Sequence, residues 1–478
     1  MISKLLLRGL LTLTALISLS LSADAAGKPN ILFLFTDDQS FETLHGRGYE
    51  DIQIPNLDRL SQAGTTFTHA YNMGAWHGAV CVASRTMLMT GRTVWRAKGI
   101  EPKLSGEATA GRLWPQLLAK AGYRTYLTGK WHVQVDPAKV FNEVRNVRAG
   151  MPSTKPAAYN RPLEGKPDPW SASDPEFGGF WTGGKHWSEV AGDDAVDFIQ
   201  QSKDSDPPFF MVVAFNAPHD PRQSPKEYVE KYPLDRIKVP ESFLPLYPHR
   251  KGMGCGKDLR DEQLAPFPRT RHAVKVHRQE YHAIISHLDT QIGRILDALE
   301  KSGLKDNTWI FLTSDHGLAI GHHGLFGKQN MYDHSLRVPF LVAGPGVKHG
   351  ASVSAPIYLQ DLMATTLEIA GVEKPEAVEF RSLLPLLRDP KAGGAREVMY
   401  GTYMNLQRAI IHNGWKLILY PKIRVAKLYH LTEDPDEMAD LSKAPAHQAR
   451  LGDLFKRLLA QQQELGDELD LRATYPDL

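Results

Sequence analysis

Residues 28–39, KPNILFLFTDDQ, decide how this chain is read. The run ILFLFT (31–36) is apolar up to a closing β-branched threonine, and then breaks into Asp37 and Asp38. An unbroken run of this length reads as a strand buried on both faces, as in parallel sheets covered by helices. Neighbouring strand residues point to opposite faces, so two adjacent carboxylates converge on one point only where the strand has just ended. Brought together, they repel each other unless a cation neutralises them.

The pattern returns three times. YRTYLT (123–128) runs into Gly129, Lys130, Trp131 and His132; FFMVVAF (209–215) into Pro218, His219 and Asp220; WIFLTS (309–314) into Asp315 and His316. Helical patterns separate these runs: IPNLDRLSQAG (54–64), GRLWPQLLAKAG (111–122) and the long stretch 270–303, each closed by glycine, a common helix stop. The alternation predicts an α/β fold with a large mixed, mostly parallel sheet flanked by helices. Ligands of such sheets bind beyond the carboxyl ends of the strands, so four exits aim at one place. Asp37, Asp38, Asp315 and His316 then read as ligands of a hard divalent cation, Ca²⁺ or Mg²⁺, the histidine leaving room for Mn²⁺.

The rest of the chain frames this core. Lys4 and Arg8 precede a leucine-rich run from Leu10 to Leu21 and the small residues Ala23, Ala25 and Ala26, the pattern of a secretory signal peptide over 1–26. The run is shorter than the ~20 apolar residues that span a bilayer, so the expectation is an exported protein, periplasmic or secreted, with no stable membrane anchor after cleavage. Stretches 135–184 and 240–268 are rich in proline without clear periodicity and read as site-shaping loops. Beyond residue 387 the segments 397–404, 407–414, 415–422 and 426–437 read as short antiparallel strands, and 445–468 as a helix. The expected division is a catalytic domain over 27–387 and a C-terminal α+β subdomain over 388–478. Across 478 residues, 56 basic and 54 acidic side chains leave a net charge of +2, which gives no case for nucleic-acid binding.

CVASRTMLMTGR (81–92) holds one of only two cysteines. In an exported chain a single Cys81–Cys255 disulfide is one reading; chemical conversion of Cys81 is the other. A helix following Cys81 would place it near the positive end of the helix dipole, where anions are favoured. Arg85 lies only four positions on, too close for the five-residue cysteine-to-arginine spacing of a phosphatase thiolate cradle.

Cys81, Ala83, Ser84, Arg85, Leu88, Thr90 and Gly91 resemble the signature of the formylglycine-dependent sulfatases, within the alkaline phosphatase superfamily. KPNILFLFTDDQ, TGKWH (128–132), APHDP (217–221), TSDHG (313–317), the segment 321–339 and LYHLTEDPDE (428–437) extend the resemblance over about residues 28–437 in the family's order. It implies that a separate maturation enzyme oxidises Cys81 to formylglycine, whose hydrate is the nucleophile. It also assigns Asp37, Asp38, Cys81, Asp315 and His316 to the divalent cation, where many members have asparagine in place of His316. Arg85 would support the hydrate, Lys130 and Lys328 would hold sulfate oxygens, and His219 and His132 would carry protons. Trp76, His77, His186 and Trp187 are further candidates for substrate contact. The partner implied is a sulfated small molecule or glycan. Two alternatives remain: a formylglycine-dependent phosphonate monoester hydrolase or phosphodiesterase, and a non-catalytic glycan-binding protein.

Two histidine groups stay outside this reading. His272, His277, His282 and His287 recur every five residues, turn about 140° apart on a helix and share no face. His322 and His323 precede Lys328 and read equally as loop positions or substrate contacts.

Overall fold

The computed structural model describes residues 27–46, 51–148, 150–151, 154–179, 181–391 and 396–478. The leader expected over 1–26 lies outside them. Strands β1 (Asn30–Asp37), β2 (Thr65–Phe67), β3 (Arg124–Lys130), β4 (Glu143–Arg148), β5 (Phe209–Pro218), β6 (Thr308–Ser314), β7 (Phe340–Ala343) and β8 (Ala351–Val353) form one sheet in the order β8-β2-β7-β6-β1-β5-β3-β4. The four strands singled out by their polar exits are the adjacent set β6, β1, β5 and β3. They are mutually parallel, so their exits share one edge of the sheet. β7 supplies the antiparallel pairings, to β6 and to β2.

The helices that matter for the site are α1 (Pro55–Ala63), α2 (Val80–Thr90), α3 (Trp114–Lys120), α4 (Trp187–Ser202), α5 (Arg271–Lys301) and α6 (Gln448–Leu465). Alternation along β1 assigns them to layers. Ile31, Phe33 and Phe35, with Leu127, Val212 and Phe311, pack on Leu88 and Met89 of α2 and on Trp114 and Leu118 of α3. Leu32 and Leu34, with Met211, Val213 and Leu312, pack on Leu57 of α1, Phe198 of α4 and Ile284 and Leu288 of α5. Each such side chain contributes about 1.5–3 kcal/mol on burial, and a one-residue slip of β1 would exchange the two sets, so the register of the central strand is firmly specified.

Helix α2 is buried along its whole length. Leu88 and Met89 face the main sheet, whereas Cys81, Ala83 and Met87 belong to a second core with Ile410, Leu417 and Leu428 of the C-terminal sheet and Leu454 and Leu458 of α6. That sheet comprises β9 (Met399–Tyr403), β10 (Gln407–His412), β11 (Trp415–Tyr420) and β12 (Val425–His430), antiparallel throughout; β9 also pairs in parallel with Gly74–Ala75, just ahead of α2. The core thus runs on from one side of residue 387 to the other, and we propose 27–387 and 388–478 as regions of one packed body. Gly91 ends α2 at a φ of 67°, its N–H donating to Met87 O (2.9 Å); a Cβ there would strike Met363 and Val378. Among the described residues no helix is long and apolar enough to cross a membrane.

Of the histidines along α5, His272 is exposed and His277, His282 and His287 are buried. Burial, aided by Arg161 beside His277 and Arg278 beside His282, holds both of these histidines well below the usual range. They stay neutral in the folded chain but charge in the unfolded one below pH ~6.5. Stability is therefore unaffected above that pH and falls as pH drops below it, by up to about 1.4 kcal/mol per pH unit for each histidine. Urea midpoints measured at pH 7.5 and 5.5 should show this fall, and His282→Gln should make it shallower.

Candidate active site

Each strand exit delivers its chemistry through the local backbone. Asp37 is the last residue of β1; Asp38 follows at a φ of 69°, a left-handed turn that aspartate tolerates and that brings the second carboxylate back beside the first. Gly129, at a φ of 89°, lets β3 approach Ala214 of β5 where a Cβ would collide, and Lys130 comes next. His132 closes the same exit at a φ of 54°. Cys81 enters from the side, in the first turn of α2.

These elements bring together Asp37, Asp38, Cys81 and Asp315, whose donor atoms all lie within 4.8 Å of one another. The Cys81 Sγ stands 3.5 Å from Asp37 Oδ1 and 3.9 Å from Asp38 Oδ1, and accepts from Lys328 Nζ at 3.0 Å. Lys328 also donates to both oxygens of Asp38 (2.6 and 2.5 Å), and Lys130 donates to Asp37. Arg85 donates from Nε to Asp315 Oδ2 (3.1 Å) and from Nη1 to Lys130 O (2.8 Å), its guanidinium 4.4 Å over the Phe35 ring. Three buried carboxylates thus face three buried cations.

The balance is uneven. Burial, with Lys328 pulling the other way and Asp37 adding repulsion, pushes Asp38 well above the usual carboxylate range; burial and the nearby Asp315 also raise Asp37. Burial would raise Asp315 too, but Arg85 and Lys130 overcome it and hold this carboxylate well below its range. Burial would lower Lys328, yet Asp38 and Cys81 beside it keep the ammonium firmly charged. Burial and Asp315 push the Cys81 thiol well up, so it remains protonated and is a poor nucleophile as cysteine.

Three buried atoms at the site have no hydrogen-bond partner: Arg85 Nη2, His132 Nδ1 and His316 Nδ1. His316 stands outside the four-residue group, with Nε2 2.9 Å from Val80 O. A carbonyl can only accept, so Nε2 carries the proton and Nδ1 keeps its lone pair, as a metal-ligating imidazole does. The oxygen-rich donors, the strained Asp37–Asp38 pair and this free nitrogen fit a divalent cation.

Residues 29–372 match the family described as sulfatase. The chain belongs to the sulfatase family. Residues 321–464 also match the family described as N-sulphoglucosamine sulphohydrolase, C-terminal. The sulfatase is 25% identical over 512 residues to an N-acetylglucosamine-6-O-sulfatase of Bacteroides thetaiotaomicron, covering 92% of this chain and 87% of that one. Its fold is that of a protein solved with its substrate D-glucosamine-2-N,6-O-disulfate (TM-score 0.72, 24% identity, 93% and 100% of the two chains). A phosphonate monoester hydrolase from Silicibacter pomeroyi shares it as well (TM-score 0.71, 21% identity, 92% and 96% of the chains).

Around the cluster of this sulfatase, His219 places Nε2 3.6 Å from Asp38 Oδ2, while its Nδ1 lies 2.6 Å from Asp220 O. Burial, with Lys328 and Lys130 adding repulsion, depresses His219 well below the histidine range. Burial and Lys130 likewise bring His132 down to about 3.

The four residues expected to meet substrate are placed differently. His186 is fully buried as the cap of α4: Nδ1 accepts from Ser188 N (3.1 Å) and Nε2 donates to Gln223 O (2.8 Å). Both nitrogens are engaged within the fold, so neither is open to a substrate in this structure. Trp187, the first residue of α4, is buried with the Arg148 guanidinium 3.9 Å over its ring, which leaves that face closed. Trp76 donates to Glu101 Oε2 (2.9 Å) and lines a cavity of about 670 Å³ with Trp95, Lys98 and Arg408, none of them in the cluster. His77 lies beside it, 3.3 Å from Glu101 Oε1.

Sequence reasoning missed Asn72. Its Nδ2 donates to Asp315 O (2.6 Å) and Ser84 Oγ (2.7 Å), and Ser84 donates to the same carbonyl (3.1 Å), tying the β6 exit to α2. It also missed Arg260 and Asp261, which come from the proline-rich stretch: Arg260 pairs with Asp220 beside His219, and Asp261 accepts from Gln329 (2.8 Å). Nothing periodic marks that stretch, whereas Asn72 sits only nine residues before the recognisable motif and could have been suspected from proximity. Asn72→Ala should cost about 1–3 kcal/mol in urea denaturation by leaving a buried carbonyl short of a donor. Paired with Ser84→Ala, the two losses should fail to add, because both side chains serve one oxygen.

Proposed function

We propose that this sulfatase releases inorganic sulfate from a sulfated carbohydrate, using residue 81 as formylglycine beside one divalent cation. The observation that carries the reading is the position of Cys81: buried against three carboxylates and a lysine, protonated as a thiol, and at the start of α2. A cysteine so placed is ill suited to act as a thiolate but well placed as the precursor of another group. As a hydrated aldehyde, residue 81 would carry two hydroxyls on one carbon, one to attack sulfur and one to drive elimination of sulfate. The cation, Ca²⁺ foremost with Mg²⁺ or Mn²⁺ as alternatives, would be held by Asp37, Asp38, residue 81, Asp315 and His316, and would supply positive field for the sulfate oxygens.

The chain's own residues do the rest. Lys130 and Lys328 lie beside the reacting side chain, where their ammonium groups can take sulfate oxygens as they develop charge. Arg85 braces residue 81 through Asp315, while its Nη2, 3.9 Å from Asp37 Oδ1, makes no hydrogen bond and can donate to a substrate oxygen. In the resting enzyme His219 donates from Nδ1 to Asp220 O, so Nε2 faces the cluster as an acceptor. An arriving anionic ester raises its proton affinity, so that Nε2 takes up a proton from water as the ester binds and gives it to the oxygen of the leaving alcohol. His132 would assist the second hydroxyl.

The carbohydrate assignment is supported by the match to the sulphoglucosamine family region and by the amino-sugar sulfatase likeness. Export to the periplasm or beyond is supported by the leader-like residues 1–26, and formylglycine implies a maturation enzyme as partner. The likeness to a phosphonate monoester hydrolase favours one alternative chemistry.

Protein from a host with the maturation enzyme should show, by peptide mass spectrometry across residue 81, the mass of an aldehyde in place of the thiol. Cys81→Ala should lose about 10³-fold or more in sulfate release. A matured enzyme that cleaved phosphonate monoesters faster than sugar or aryl sulfates would overturn the sulfatase chemistry, and turnover confined to aryl sulfates would remove the carbohydrate. His219→Asn should reduce kcat far more for a sugar sulfate than for an aryl sulfate with an acidic leaving group. An equal loss on both would remove His219 from the role of acid.

A further inference from the structure

One more group of candidate ligands closes up among the described residues: Glu42, His322 and Asp436, with donor atoms within 4.8 Å of one another. They come from three segments distant in sequence. Glu42 lies in the short turn Phe41–Thr43 after β1, His322 in the loop that carries Lys328, and Asp436 in the turn after β12. The reaction proposed above uses none of them. They line a cavity of about 470 Å³ that Lys238, Arg278 and Arg337 also border.

His322 is the observation that points to an ion. It is only 5% exposed, yet its Nε2 makes no hydrogen bond, although Glu42 Oε2 lies 3.2 Å away. Its ring is fixed from every other side. Nδ1 lies 2.8 Å from Ser242 Oγ, the ring stacks on His334 at 5.1 Å, and a backbone bridge joins His322 to Phe243. In the tautomer that gives Nδ1–H to the serine hydroxyl, Nε2 turns a lone pair toward the two carboxylates, the form a metal ligand takes.

We propose that Glu42, His322 and Asp436 bind a divalent transition-metal ion, Zn²⁺ in the first instance, at a site separate from the strand-exit cluster. One imidazole and two carboxylates suit Zn²⁺, with water completing the shell from the cavity; Ca²⁺ and Mg²⁺ prefer oxygen throughout. The serine behind Nδ1 supplies the outer hydrogen bond that such a ligand needs. The ion acts as a brace. It ties the turn four residues past Asp38 and the loop six residues before Lys328 to the C-terminal sheet, so occupancy raises stability without entering the chemistry.

The test uses full-length enzyme stripped with a chelator and returned to excess Ca²⁺, which fills the oxygen-rich site at the strand exits. Calorimetric titration with Zn²⁺ should then show one equivalent bound and a raised unfolding temperature. His322→Gln and Asp436→Asn should each weaken Zn²⁺ at least about tenfold while keeping Ca²⁺-supported sulfate release. Asp436 sits on a partly exposed turn, so its variant decides the matter even if His322→Gln fails to fold. No Zn²⁺ uptake by the wild type, or uptake by Asp436→Asn equal to the wild type's, overturns the proposal and leaves a simple histidine–carboxylate pair.

Discussion

The structure depends on the pairing of three buried carboxylates, Asp37, Asp38 and Asp315, with three buried cations, Arg85, Lys130 and Lys328, at the carboxyl edge of one sheet. Unpaired, any one of these charges would cost several kcal/mol at this depth; paired and hydrogen-bonded, each holds its neighbour in place. Three acidic groups set against three basic ones keep the net charge of the pocket small, although Asp37 and Asp38 hold their protons more tightly than ordinary carboxyls. A divalent cation, as proposed for this site, would turn the field positive, the condition under which an anionic ester can approach a nucleophile.

This constraint explains why the surrounding scaffold is so heavily packed. Charges taken out of water cannot rely on solvent to correct small displacements, so their backbones must be fixed to a few tenths of an ångström. The left-handed residues at Asp38 and His132, the close approach at Gly129, and the Asn72–Ser84 pair on the Asp315 carbonyl each remove a degree of freedom at an exit. The apolar sets on the two faces of β1 fix the strand itself. Secondary structure supplies the direction of the site, and these local devices supply its precision.

The legible part of the chain was the part governed by periodicity and abrupt composition change. The four apolar runs, the long α5 and the C-terminal strands follow directly from such patterns, and so does the convergence of Asp37, Asp38, Lys130, His219 and Asp315 at one edge. Residues whose role comes from a tertiary contact were not legible. His186 looks like a pocket histidine beside two tryptophans in sequence, but its position just before α4 gives its ring a capping duty. Arg260 and Asp261 come from an aperiodic loop, and only folding shows that the loop returns to Asp220 and Gln329. Asn72 was hidden by its ordinary surroundings, although a polar residue so near the Cys81 motif is a sound place to look.

The C-terminal sheet follows from the same constraint. Helix α2 must present residue 81 to the cluster from one end while burying its sides, and the main sheet covers only the flank that carries Leu88 and Met89. The other flank, with Cys81, Ala83 and Met87, would face water without β10, β11 and α6. Water there would raise the local dielectric and weaken every pairing in the site, since the attraction of buried charges rests on solvent exclusion. The direct pairing of β9 with Gly74–Ala75 joins this cover to the backbone that enters α2. Residues more than 300 positions downstream of Cys81 are therefore part of what makes its surroundings dry.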